Sequence, residues 1–554
     1  MDLLKCAVVS VVEVYACTTL NLQQVQGYHP LSLVLLLLLT QYLALKLSNI
    51  FIYPFRLSPL RHIPGPKGDN PLLGSALEQL RAGPGVLELS WCRTFPDAKI
   101  IRYFGVGNQE YVLLNSRKAH RDVLQKNCYD FQKPHWLARI VGEIAGTGLL
   151  FAEGDFHKKQ RRLLTGQYSG TSLVYALAAR KHELMRMLEQ VLSRSAISKI
   201  YCRSLKPNLR NYATFLSDHR VGSSLLMNTT LDVIGLAVLG RELSALSVPS
   251  PFAEHYDTLF ATSNVGNLIA VIHQAIPIRW ALPIKVNRDF LHSRNQIRVL
   301  LLQHIRKRKE ELALTHNAST QDQSNSGSSR DLLTLMIEEK LDVSDGWTED
   351  DILGHLLNFM AAGHETSAGA LTWALHALSI YPHIQFRLRD EVLNSAAAGP
   401  SPTEAELDSL NYLSNFLREV LRYYTPALST PREAIKDVTI DGVFLPKGTN
   451  VIIVPSLPHF DIKTWGPSVD EFNPDRFTNL PKEAQDPWAT QTFLGGPRIC
   501  IGKSFAMLEM KAIMVALIKE FEFSSLGFKV EQQKGGQSRR PAGGLKLRIK
   551  KFER

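Results

Sequence analysis

Chemistry in this chain concentrates around one cysteine. In FLGGPRICIGKSF, Phe493 to Phe505, Cys500 lies between glycines, with Arg498 two residues before it and a basic helix start after it. Gly495, Gly496 and Pro497 suit neither a helix nor a regular strand, so the spacing predicts a tight irregular loop ahead of Cys500 and a helix from Lys503. The N-terminus of that helix favours a thiolate through its dipole and its free N–H groups. Arg498 is placed to reach an anionic group near the sulfur, and Gly502, without a Cβ, lets a flat ligand or a backbone come close. Taken alone, Cys500 reads better as a small buried hydrophobe, the usual state of a lone cysteine.

Two further groups bear on that choice. AGHETS, Ala362 to Ser367, puts an acid and a hydroxyl, Glu365 and Thr366, inside an apolar segment where polar groups need partners. Thr366 either bonds back to the Ala362 carbonyl or releases it, and an acid beside a hydroxyl in a dry core suits proton delivery. A buried polar kink without function is the bland reading. In LREVLRYYTP, Glu419 and Arg422 stand at i and i+3 on one helix face, a pair worth only tenths of a kcal/mol at a surface. Arg476 in EFNPDRF is the candidate third partner.

The elements that must position these residues are mainly helical. Thr348 with Asp351 has the pattern of a capping box, and no proline follows until Pro382, which predicts one helix roughly 50 Å long running through the core with AGHETS at its centre. Strand patterns are confined to hairpins at Ala98–Asn115, around Gly105 and Gly107, and at Val438–Val454, with an Asp441-Gly442 turn. Thr315–Asp331 reads as a polar surface loop carrying the sequon Asn317-Ala318-Ser319, and Ser193–Ser224 shows no clean helical period.

With 554 residues, 45% hydrophobic and 21% charged, the chain is long enough for a large core. The six cysteines are scattered without a CxxC pair, against a disulfide framework or a zinc site. A net charge of +11 suits an acidic protein partner or an anionic membrane face, and its dispersal argues against nucleic acid. The leucine-dominated run from Leu31, extended to Phe55, is long enough to cross a bilayer, which takes about 20 residues. Arg56, Arg61 and Lys67 after it place the rest of the chain in the cytosol by the positive-inside bias. The organisation expected is a lumenal or membrane-active segment over 1–30, a single transmembrane anchor over 31–55, a proline-rich linker over 56–72 and a catalytic domain over 73–554.

These motifs together resemble those of the cytochrome P450 family of haem-thiolate monooxygenases, from the anchor to the C-terminus. FLGGPRICIG fits the pattern F-x-x-G-x-R-x-C-x-G at Phe493, Gly496, Arg498, Cys500 and Gly502, AGHETS fits the oxygen-activation motif, and Glu419, Arg422 and Arg476 fit the structural triad. GDFHKKQRR resembles the helix that supplies a propionate-binding arginine, with Arg161 in that place and His157 where many members have tryptophan; Arg432 in PREA stands where members often have another propionate contact. The resemblance implies a mainly α fold with small β-sheets and a long central helix, and haem b held by Cys500 as axial ligand. It also implies proton delivery by Thr366 and Glu365, and electrons from NADPH through NADPH–cytochrome P450 reductase, with cytochrome b5 as a further donor. Lys503 and Lys511 are candidates for the docking face. The location implied is the endoplasmic reticulum membrane.

The segments facing substrate, by the same analogy, are Lys133–Phe151, Val265–Ile284, Phe359–Gly363 and Thr425–Thr430, all mainly apolar. They point to a lipophilic substrate such as a terpenoid, polyketide or alkaloid scaffold of fungal secondary metabolism. Fatty-acid hydroxylation and xenobiotic oxidation are the alternatives. A reductase-independent haem-thiolate isomerase or dehydratase, or a haem carrier or sensor without turnover, fits the intact Glu365-Thr366 pair less well.

Overall fold

The computed structural model describes residues 2–19, 29–165, 223–246, 250–261, 263–318, 331–342, 347–399, 402–534, 536 and 538–553. The irregular stretch 193–224 falls outside them but for its last two residues, as do 319–330 of the polar loop; the helix before that loop runs on to Ala318, so the start of the predicted loop is helical. The helices used below are α1 (Asp2–Thr19), α2 (Pro30–Phe51), α3 (Gly154–Thr165), α4 (Ser223–Leu239), α5 (Pro251–Phe260), α6 (Lys285–Ala318), α7 (Glu349–Ile380), α8 (Asn411–Tyr423) and α9 (Lys503–Glu520).

Strands β1 (Ile100–Phe104), β2 (Glu110–Leu114), β3 (Phe131–Gln132), β4 (Thr430–Ala434) and β7 (Asn450–Ile453) form one sheet in the order β1-β2-β7-β4-β3. The predicted first hairpin pairs β1 with β2 antiparallel, Ile100 opposite Leu114. Val438–Ile440 (β5) and Val443–Leu445 (β6) form the second, whose turn residues Asp441 and Gly442 both have positive φ, 46° and 80°, as a tight two-residue hairpin requires. Phe521–Ser525 (β8) pairs with Leu547–Lys551 (β9). The proline-rich segment after α2 is docked rather than free-standing. Leu60 and Ile63 are buried against the sheet, and the Arg102 amide donates to the Pro64 carbonyl at 2.9 Å.

Helix α7 organises the interior. The Thr348 hydroxyl accepts from the Asp351 amide and the Asp351 carboxylate accepts from the Thr348 amide, the predicted capping box. Ile352 to Ala361 sit in one apolar cluster with α4, α5 and α6; Ala368 to Leu378 sit in a second with α8 and α9. The AGHETS residues fall at the seam. Gly363 is set by packing: a Cβ there would stand 2.7 Å from the side chain of Ile234 on α4.

Candidate active site

The cysteine loop folds as its residues dictate. Gly496–Arg498 make a single 3-10 turn, the Cys500 amide donates to the Phe493 carbonyl at 2.9 Å, and α9 starts at Lys503. Gly496 has φ of 68°, and a Cβ on it would run into the Leu124 carbonyl, so its constraint comes from the turn at 122–126. At Gly502 a Cβ would meet nothing within 4 Å. Cys500 itself has an exposed surface, although enough protein surrounds the sulfur for burial to push its thiol pKa up; the Gly502 amide, Arg161 and Lys503 oppose that rise. Ile501 packs on the apolar cluster that contains Phe359 and Ala361, which brings the loop to the middle of α7. There Ala362, Gly363 and Thr366, one turn apart, are uncovered inside a helix otherwise buried from Ile352 to Leu375.

Thr366 takes the first of its two options, donating from Oγ1 to the Ala362 carbonyl at 2.7 Å within an uninterrupted α-helix. Glu365 is turned another way. Its Oε1 accepts from Ser538 Oγ at 2.7 Å and stands 2.7 Å from Arg540 Nη2. Burial raises the Glu365 pKa, and Arg540 and Ser538 oppose the rise. The structure therefore separates the two side chains that the sequence reading paired for one task. Ser538 and Arg540 carry no sequence signal, because they lie in a Gly/Ser/Arg stretch without periodicity.

Arg498, Arg432, Arg161 and His157 stand in one charged cluster with Lys133, Tyr129 and Cys128, and Arg161 reaches Cys500 as well. Arg498 donates to the Ala152 carbonyl at 2.9 Å and to the Glu153 carboxylate, while its Nε has no hydrogen-bond partner. Arg432, on β4, is buried and donates to Thr430 Oγ1 and the Pro431 carbonyl. Lys133 Nζ lies 3.7 Å from Glu153 with 7% of its side chain exposed. Burial, then Arg432 and Arg498, push its ammonium down to about 7, against Glu153. His157, buried on α3 and in contact with the Tyr129 hydroxyl at 3.2 Å, is held down to about 3 by burial and the cations around it. Three buried cations thus share one carboxylate, a surplus of positive charge that favours bound anionic groups. Lys133 carries no sequence signal, being one lysine before a proline in an apolar stretch.

The E-x-x-R pair finds its third member. Arg422 binds Glu419 with two bonds, 2.7 and 2.8 Å, with both side chains fully buried, and Arg476 Nε approaches Glu419 at 3.5 Å. Arg422 also donates to the carbonyls of His459, Val469 and Glu471, so the triad fastens α8 to the chain ahead of the cysteine loop. Lys511 is corrected as a docking residue. It is buried and paired with Asp408 at 2.7 Å, whereas Lys503 and Arg418 are exposed and line a groove of about 720 Å³ with Phe493 and Gly496. Two of the segments assigned to substrate meet at a cavity of about 270 Å³ lined by Ile140, Ile144, Ile269 and Arg279, which α5 joins through Phe260. Phe260 packs on His364 of AGHETS with ring centres 5.5 Å apart.

A family model, Cytochrome P450, matches residues 64–541. The chain is 32% identical over 495 residues to cytochrome P450 monooxygenase sphH of Aspergillus fumigatus, covering 86% of this chain and 85% of that one. It is 29% identical to cytochrome P450 monooxygenase ALT8 of Alternaria alternata, covering 91% of each. Against cytochrome P450 monooxygenase FUM15 of Gibberella moniliformis it is 28% identical, covering 91% of this chain and 90% of that one. This chain belongs to the cytochrome P450 family, the haem-dependent monooxygenases.

Proposed function

We propose that Cys500 is the thiolate ligand of the haem iron and that the enzyme inserts one oxygen atom of O2 into a lipophilic secondary metabolite, of terpenoid, polyketide or alkaloid type. The observation that carries this reading is the set of buried cations Lys133, Arg432 and Arg498 around Glu153, which Arg161 links through His157 to the Cys500 sulfur. Two haem propionates would complete that charge set, with Arg498 Nε an unspent donor and Arg161 and the neutral His157 at its edge. The open space beyond Gly502 and the uncovered surface of Ala362, Gly363 and Thr366 suit the two faces of a flat macrocycle. Bound there, haem supplies the redox chemistry of dioxygen activation and C–H oxidation.

The chain's own residues do the rest. The Gly502 amide, Arg161 and Lys503 hold down the pKa of a sulfur that burial would keep protonated. Thr366 must break its 2.7 Å bond to the Ala362 carbonyl to turn its hydroxyl proton toward a bound ligand. Glu365, whose pKa burial raises, accepts a hydrogen bond from Ser538 at Oε1, so Ser538 is the group from which it takes up a proton. Phe260 and Ile144 keep the approach from the apolar cavity dry. NADPH–cytochrome P450 reductase docks at the exposed groove with Lys503 and Arg418. Helix α2 anchors the enzyme in the endoplasmic reticulum membrane with the body in the cytosol.

Reduced protein under carbon monoxide gives the red-shifted Soret band of a thiolate complex, and Cys500→Ala abolishes it. Survival of that band in the variant overturns the assignment. With reductase and NADPH, Thr366→Ala lowers product formation by about 10²-fold while NADPH is still consumed. Product per NADPH equal to wild type removes Thr366 from proton delivery.

A further inference from the structure

We propose that α1 is a second transmembrane helix, packed antiparallel on α2, so that the end of the chain carrying Asp2 and Lys5 lies on the same side of the membrane as the catalytic body. The inference rests on the reading of α2 as a membrane anchor, and it replaces the single crossing expected from sequence. By length and apolarity α2 alone, among the described residues, qualifies as a membrane span. What brings α1 in is how the two helices meet.

One stripe of α1 is covered: Cys6, Ser10 and Val14, four residues apart, are buried against α2. Ser10 Oγ donates to Gln41 Oε1 at 3.4 Å, and Gln41 Nε2 donates to the Glu13 carboxylate. Small side chains at the seam with a few polar groups bonded across it are how helices associate in lipid. The rest of α1 faces outward and is apolar apart from Lys5 near one end, Thr18 and Thr19 at the other and Glu13, which Gln41 of α2 holds, with Leu4 at 69% and Tyr15 at 70% exposure. Helices that lie on a membrane surface need a polar face for water, and α1 turns none outward between Val8 and Val12. Its apolar belt continues that of α2, where Leu31, Leu35, Leu39 and Leu43 form the outward stripe. The 18 residues of α1 span about 27 Å, close to the ~30 Å hydrocarbon thickness. Lys5, in the first turn, reaches the headgroups through its flexible stem.

Charge gives the orientation. Residues 20–29 between the helices contain no Lys or Arg, whereas Lys5 stands in the first turn of α1 and Arg56 and Arg61 after α2. Basic residues stay on the cytosolic side, so both outer ends belong there. Ser10, at the middle of α1, meets Gln41, at the middle of α2, which puts the two helices at the same depth.

The test uses the full-length enzyme in sealed microsomes, with a glycosylatable tag inserted between Gln23 and Gln24, and separately an N-terminal glycosylatable epitope. The expected result is a glycosylated internal tag and an unglycosylated N-terminal epitope that added protease removes. A glycosylated N-terminal epitope overturns the proposal in favour of one crossing, and an internal tag left unglycosylated overturns it by leaving neither helix across the bilayer. The N-terminal epitope, which disturbs neither helix, decides the matter by itself if the internal insertion fails to accumulate. Release of the full chain by alkaline carbonate would refute the α2 anchor itself, a failure distinct from either.

Discussion

Glu509 illustrates how far a single residue can sit from its ordinary chemistry. It lies on α9, fully buried, with no hydrogen-bond partner for either carboxylate oxygen, and burial lifts its pKa to about 8, offset in part by Ser367. In the unfolded chain the same carboxyl titrates at its ordinary value near 4.5. Between those values the folded state holds a proton that the unfolded state has lost, so the stability present below pH 4.5 drains away as pH rises toward 8, by about 1.4 kcal/mol per pH unit. Glu509→Gln, neutral at all pH, is therefore expected to be more stable than wild type at pH 7, with the difference growing up to pH 8 and vanishing near pH 4.5. Denaturant titrations at three pH values check this. Nothing in AMLEMK marks Glu509 as buried and unpartnered, because a glutamate in a helix is usually at the surface. Cys500 was legible for the opposite reason: the residues flanking it, Phe493, Gly496, Arg498 and Gly502, stand together in one short motif.

Helix α7 shows what can be read at the next scale. Its capping box, its length and its course through the core follow from Thr348, Asp351 and the apolar run, and the structure has each of them. What sequence did not reveal is how its polar residues hold neighbouring chain. Asn358 Oδ1 accepts from the Leu150 amide at 2.6 Å, its Nδ2 donates to the Ala145 carbonyl, and His355 Nδ1 accepts from the Leu149 amide. Gly148 lets this loop approach so closely that a Cβ would stand 2.5 Å from the Gly354 carbonyl oxygen. Such bonds join residues more than 200 positions apart, and no local pattern encodes them. Asn358→Ala leaves the Leu150 amide and the Ala145 carbonyl without partners, which is expected to cost about 1–3 kcal/mol. The loop at 145–150 should lose hydrogen-exchange protection while α7 keeps its own. A uniform loss along α7 would show that Asn358 supports the helix instead.

Across the whole molecule, buried histidines dominate the response to acid. His120, His355 and His364 are held down to about 4, and His157 and His459 to about 3, in each case chiefly by burial. Each is neutral when folded and takes up a proton when unfolded below its ordinary value of 6.5, so stability is complete above that pH and falls as pH drops toward 4. Thermal unfolding should show a midpoint that is flat above pH 7 apart from the Glu509 effect and declines steeply between pH 6.5 and 4. Replacing His120 with Gln should remove part of that decline. The mainly α architecture and its two hairpins were readable because they rest on periodicity and turns, whereas the five-stranded sheet joins strands more than 300 residues apart in sequence. One consequence concerns the far end of the chain. The Arg539 amide donates to the Pro426 carbonyl, the Arg539 carbonyl accepts from Trp373 on α7, and Ser538 and Arg540 hold Glu365. This stretch is a latch on the central acid, so a chain trimmed ahead of residue 538 would leave the Glu365 carboxyl in an apolar interior without the two partners that hold it.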